Sequence, residues 1–291
     1  MITGFDTAFS EITLVLFTTL APSGVVAYLC MAVPVLARGT DAAMRQRLNV
    51  FLAAPLVVSM VGLVASATHL GNPANALYVF LGVGRSPLST EVFCAVLFLA
   101  LAGLYWLYCF AEHPRPLLQR LWLMAAMVAG VGFVIAVAFA YAAETIVSWH
   151  TVYVPLNLIL NSLVGGPVLA IAGLCAAGYG GVRGRWGRVL VAAAAAALAL
   201  NVGGFVLQGA ELPLIGNSFT TAADLVPGFG AMVGVFAAAG ALAVGLDAFA
   251  LWGCSRLSMP GALAAAGSAL VGIFVMRFAF YMMHMTVGMG I

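Results

Sequence analysis

Six residues of this sequence could bind a polar, lipid-soluble ligand or take its protons in an apolar setting: His69, Arg85, Glu91, Arg277, Tyr281 and His284. A neutral imidazole and a carboxylate can each accept a hydrogen bond from a hydroxyl and then take its proton. Such a pair beside an apolar cavity suits a hydroquinone, which dissolves in lipid and gives up two electrons and two protons on oxidation. His69 and Glu91 are the candidate acceptors. Arg277, Tyr281 and His284 follow at i, i+4 and i+7, so they share one face of a helix. An arginine within a membrane span calls for a carboxylate, a carbonyl-rich cavity or a polar ligand. Each residue alone has a plainer reading as a helix-end side chain reaching for the interface. Their convergence on one layer, together with Glu211, is what points to chemistry.

The elements that must position them follow from composition. The chain has 291 residues, 64% hydrophobic and only 7% charged. A soluble domain carries about 25% charged residues, so lipid rather than water must solvate most of this surface. That excludes a soluble enzyme, a disordered chain and a nucleic-acid binder. Transmembrane strands alternate apolar and polar residues, which this sequence does not do. The expected fold is all-α, a polytopic bundle of eight transmembrane helices forming one integral membrane domain over 1–291. The spans fall at about 11–36, 48–69, 90–111, 121–143, 155–180, 189–210, 226–250 and 260–283. Kinks are expected at Pro22/Gly24 and at Gly165-Gly166-Pro167. A close helix approach is expected at the Gly230/Gly234 GxxxG. The first ten residues hold no basic side chain, so the first apolar stretch reads as a retained helix rather than a cleaved signal.

All eleven basic residues are arginines, and they sort by side. Arg38, Arg45, Arg47, Arg115, Arg120, Arg183, Arg185, Arg188 and Arg256 follow spans one, three, five and seven. The positive-inside rule then places both termini outside. Topology accounts for those nine without any function. It does not account for Arg85 or Arg277. Glu91 should lie about one turn into span three, because Ser86-Pro87 marks a helix start. His69 closes the preceding antiparallel span at a similar depth. His113 reads as a solvated loop residue and Asp247 as a water-facing carboxylate at an inner helix end.

Other chemistries fit less of the sequence. The five cysteines are scattered, with no CxxC and no metal-ligand spacing, so no metal site is expected. A b-type haem would need two axial histidines, and only His69 and His284 are at helix depth. A transporter would want polar groups near the midplane, where only Asn157, Asn161 and Asn201 stand.

The residues around the candidate site carry a resemblance. His69-Leu70-Gly71-Asn72-Pro73 precedes Ser86-Pro87-Leu88-Ser89-Thr90-Glu91, and Gln208-Gly209-Ala210-Glu211-Leu212 and the ending His284-Met285-Thr286-Val287-Gly288-Met289 follow. In order and spacing these stretches resemble the membrane-anchor subunit of dimethyl sulfoxide reductase, the DmsC family, over essentially the whole chain. The resemblance implies a bacterial inner-membrane anchor that oxidises menaquinol at residues matching His69 and Glu91. It implies no haem, and two partners on the outer face: an iron–sulfur subunit with [4Fe-4S] clusters and a molybdopterin catalytic subunit. Arg85, Arg277, Tyr281 and His284 join the expected quinol site by location and helical geometry. Related polysulfide and nitrite reductase anchors share the eight-span quinol-reactive design, so the terminal acceptor stays open, as does a scaffold without quinol chemistry.

Overall fold

The protein is described by a computed structural model, which covers residues 4–69, 73–217, 219–252 and 258–285, with backbone only at 73–76. Residues 70–72 of the His69 motif, 286–289 of the C-terminal motif, Cys254 and Arg256 lie outside the described residues.

The architecture is an all-helical bundle. A short α1 (Gly4–Ser10) leads into α2 (Ile12–Leu36), and α3 (Ala42–Phe51) continues into α4 (Ala53–Ala67). Then come a 3₁₀ segment (Pro73–Gly82), α5 (Pro87–Tyr108), α6 (Pro116–Ala140), α7 (Tyr153–Ala176) and α8 (Arg185–Glu211). The one-turn α9 (Ala222–Leu225), α10 (Phe229–Trp252) and α11 (Met259–Met282) complete the fold. Among the described residues, eight helical segments are long and apolar enough to cross a membrane, with α3 and α4 together making the second. Each overlaps the corresponding span read from the sequence.

Why these segments break where they do is local chemistry. Pro55 has no N–H for the Phe51 carbonyl and its ring crowds that turn, which separates α3 from α4 at Leu52. Asp41 caps α3 by accepting from the Met44 N–H at 2.9 Å. Pro22, Pro34 and Pro167, by contrast, sit inside continuous helices.

The helices α2 and α7 are the most buried and form the centre. α4, α6, α7 and α11 all pack on α2, and α8 and α11 also pack on α7. Close approach depends on glycines of these central helices. A Cβ at Gly24 would stand 2.8 Å from both the Pro55 carbonyl and the Ser59 nitrogen of α4, and one at Gly166 would overlap Val26 of α2. Gly24→Val should therefore push α2 and α4 apart and cost about 1–3 kcal/mol, visible as a lower thermal midpoint of the detergent-solubilised protein. An unchanged midpoint would show that this contact is slack. The expected Gly230/Gly234 contact is not formed among the described residues: both positions face open space. α10 instead meets its neighbours through Val233, Phe236, Gly240 and Ala243, a different stripe of the same helix.

The start of α1 and the end of α11 lie together at one end of the bundle, where Gly4 meets the backbone of Met282 and Phe5 packs on Phe278. Antiparallel alternation brings the start of α2, the end of α4, the start of α5 and the end of α6 to that same end.

Candidate functional site

The turn into α5 uses Gly84 at φ +79°, a conformation that favours glycine, with Thr90 Oγ1 accepting from its N–H at 3.1 Å. Ser86 then caps the helix by accepting from the Ser89 N–H, and Pro87 takes the first position. This fixes Glu91 one turn into α5, as its spacing from Ser86-Pro87 requires. Glu91 is 3% exposed, and its Oε2 has no hydrogen-bond partner among the described residues. It does not turn toward α4. It lies within electrostatic range of Tyr141, at the end of α6, and of Tyr281 on α11.

Arg277 completes this cluster. Its Nε donates to Thr18 Oγ1 at 3.0 Å, while that hydroxyl donates to the Leu14 carbonyl at 2.8 Å. The guanidinium lies 4.1 Å from the Phe280 ring centre and 5.7 Å from those of Tyr141 and Tyr281. Cation–π contacts of this kind gain strength when desolvated, and Arg277 is 2% exposed. Even so, Arg277 Nη2 has no hydrogen-bond acceptor among the described residues. The Tyr281 hydroxyl, close to those of Tyr141 and Thr18, makes no hydrogen bond of normal geometry there either. Glu91 Oε2 and Arg277 Nη2 are thus buried with no hydrogen bond among the described residues, and both groups lie near Tyr281. Each such group costs about 1–3 kcal/mol unless something completes it.

The loop before α7 holds this end of α11 in place. Trp149 stacks on Phe280 with ring centres 4.4 Å apart and donates from Nε1 to the Phe280 carbonyl at 3.1 Å. Ser148 Oγ donates to the Met283 carbonyl and accepts from the Met285 N–H at 3.3 Å.

The remaining expected residues divide. His69 does not meet Glu91. Its Nε2 stands 3.2 Å from Glu11 Oε2, at the start of α2, without an aligned hydrogen bond. The reason is packing: α2 runs along α4, whereas Glu91 projects toward α6 and α11. His284 lies past the end of α11, against Trp149 at 5.0 Å between ring centres. Burial against that ring holds its imidazole below the usual histidine range, with Glu11 pulling the other way. The i, i+4, i+7 face therefore holds for Arg277 and Tyr281, and His284 leaves it because the helix stops at Met282. Arg85 is exposed and lines a cavity of about 200 Å³ with Ser86, Thr90 and Phe139. That cavity lies against the first turn of α5, which Glu91 follows, and the last turn of α6, which Tyr141 follows.

Glu211 belongs to a different seam. It accepts from the Tyr153 hydroxyl at 2.9 Å, and Asn157 donates to Gln208 at 2.9 Å and Asn201 to Asn161 at 2.6 Å, all between α7 and α8. Asp247 is also not water-facing as expected: it is 1% exposed, because α10 turns it inward with Val233, Phe236, Gly240 and Ala243. His113 is exposed.

Sequence reasoning placed Glu11 on this face but not in the site, and it missed Thr18 and Tyr141. A lone acid opening the first apolar span was the one available signal for Glu11. Thr18 and Tyr141 look like ordinary span residues.

The fold and this cluster define a class: a multi-pass helical membrane protein with unsatisfied ionisable and phenolic groups buried at one end of its bundle. The family model described as DMSO reductase anchor subunit (DmsC) matches residues 5–283. The C subunit of anaerobic dimethyl sulfoxide reductase from Escherichia coli (strain K12) is 32% identical over 286 residues, covering 96% of both sequences. The YnfH subunit named for the same reductase in that organism is 33% identical over 283 residues, again 96% of both. The C subunit from Haemophilus influenzae is 27% identical over 286 residues, 98% of this sequence and 99% of that one. The protein belongs to the DMSO reductase anchor subunit family, and is thus a membrane anchor of a molybdoenzyme complex. Membership implies a catalytic and an iron–sulfur partner subunit.

Proposed function

We propose that this anchor binds and oxidises menaquinol at the Glu91–Arg277–Tyr281 end of the bundle. The electrons pass to an iron–sulfur partner docked over that end, and from there to a molybdopterin subunit that reduces dimethyl sulfoxide or a related acceptor. The observation that carries the reading is the set of unsatisfied buried groups. A quinol presents two hydroxyls, each both donor and acceptor. One can donate to Glu91 Oε2, and a quinol or quinone oxygen can accept from Arg277 Nη2 or the Tyr281 hydroxyl. Oxidation releases two protons. Glu91 takes one, and His69, held at the rim by Glu11, takes the other. Arg85 lines the approach beside the first turn of α5. The distribution of arginines supports placing this end outside a bacterial inner membrane, with both termini and both partners on that side.

His69→Ala is the test at the rim. It should lower quinol-driven reductase turnover about 10²-fold while leaving turnover with an artificial electron donor at the wild-type rate. Glu11→Gln should give a smaller loss of the same kind. Wild-type quinol turnover in His69→Ala would remove it from the mechanism. An anchor that serves only as a scaffold predicts instead that both donors fail together as assembly weakens. Binding of a quinol analogue to each variant separates these outcomes.

A further inference from the structure

Nine arginines follow from topology as a group, but topology does not say that three should share one concavity. Arg38, Arg45 and Arg120 line a cavity of about 290 Å³ at the end of the bundle opposite Glu91. It lies where α2 ends and α6 begins. Among the described residues its lining includes Gln119 and Tyr105 but no carboxylate, and its apolar wall is Val35, Leu36, Pro116 and Leu123.

Two of the guanidiniums are anchored at the end of α2. Arg45 donates from Nε to the Val35 carbonyl at 3.1 Å and from Nη2 to the Thr40 carbonyl at 3.0 Å. Arg120 Nη2 donates to the Leu36 carbonyl at 3.2 Å. A guanidinium has five N–H donors: Arg45, which also donates from Nη2 to the Ala37 carbonyl at 3.4 Å, keeps its two Nη1 donors for a ligand, and Arg120 keeps four. Arg38 is exposed and the most freely placed of the three. Three fixed or adjacent guanidiniums with no carboxylate in the lining are suited to a phosphate, which they can engage by paired, charge-assisted hydrogen bonds.

We propose that this cavity binds the phosphate of an anionic phospholipid. What favours a lipid over a free anion is the surface beside it. Leu117, Leu121 and Met124 of α6 are 69%, 52% and 39% exposed, an apolar strip running from the cavity along the membrane-facing side of the helix. A headgroup phosphate held by the arginines leaves its acyl chains on that strip. Basic pockets between transmembrane helices on the cytoplasmic side recognise lipid headgroups in this manner.

The test uses the full-length protein, with any partners that co-purify, extracted in mild detergent and stripped of lipid. Phosphatidylglycerol, added back, should raise the thermal midpoint and appear as one retained lipid in the native mass spectrum. Phosphatidylcholine with the same acyl chains should do neither. Arg38→Gln and the double variant Arg38→Gln/Arg120→Gln should weaken phosphatidylglycerol retention, the double by about tenfold or more. Arg188→Gln, on the same side but away from the cavity, should not change it. Equal stabilisation by phosphatidylcholine, or equal loss in Arg188→Gln, would overturn the site. Displacement of the lipid by millimolar inorganic phosphate, with the same gain in midpoint, would show a free-anion site and overturn the lipid assignment.

Discussion

Glu91→Gln should reduce quinol-driven reductase turnover by about 10²–10⁴-fold, the range over which a positioned proton acceptor contributes, while artificial-donor turnover stays at the wild-type level. The substitution is close to isosteric. The amide can still occupy the buried position next to Tyr141 and Tyr281, so the bundle should assemble normally. What the amide lacks is an oxygen that can take and hold the proton of a quinol hydroxyl. Binding of a quinol analogue should persist with reduced affinity, because the amide oxygen still accepts a hydrogen bond. Separating binding from turnover is the value of this variant: unchanged quinol turnover would refute Glu91 as the acceptor, and a loss with both donors would indicate a folding defect.

The second large effect concerns Arg277. Arg277→Ala removes the Thr18 hydrogen bond and three aromatic ring contacts and leaves a void at a site that is 2% exposed. A loss of about 3–5 kcal/mol is expected, measured as a large fall in thermal midpoint. Arg277→Leu refills much of the volume with apolar atoms. Replacing a buried charge by a well-packed apolar side chain is often close to neutral, so this variant should retain most of the stability. Both should nevertheless lose quinol oxidation, because neither offers a donor where Nη2 now has no acceptor among the described residues. The pair separates a structural arginine from a ligand-binding one. If Arg277→Leu folds and oxidises quinol normally, the arginine serves packing alone.

Parts of this site can be read from consecutive residues. Ser86-Pro87 announces the start of α5 through a side-chain cap and a residue with no N–H to lose, and counting from it places Glu91 one turn in. The spacing of Arg277 and Tyr281 announces a shared face, because four residues nearly complete a helical turn. Counting within one helix works since local hydrogen bonding sets the geometry.

Contacts between helices are another matter. His69 and Glu91 read as partners because they flank one loop, yet His69 meets Glu11, at the start of α2. Asp247 reads as a helix-end residue facing water and is buried. The Gly230/Gly234 motif reads as a contact and faces open space. Each of these readings assumes which side of a helix faces inward. In a water-solvated bundle the polar face would supply that information. Here the spans are apolar on every side, since lipid and core are equally acceptable to a leucine, and the usual stripe disappears.

The sequence by itself determined the solvent, the number of spans and the depth of the ionisable residues along their helices. Those depend on composition, length and local caps, which are properties of consecutive residues. The tertiary structure decided that Glu91 and Arg277 each meet Tyr281 and Tyr141 while His69 joins Glu11, and that three arginines line one cavity. Those depend on how each helix is rotated about its axis. That rotation is fixed by close packing at positions such as Gly24 and Gly166, where a side chain of any size would collide with the next helix.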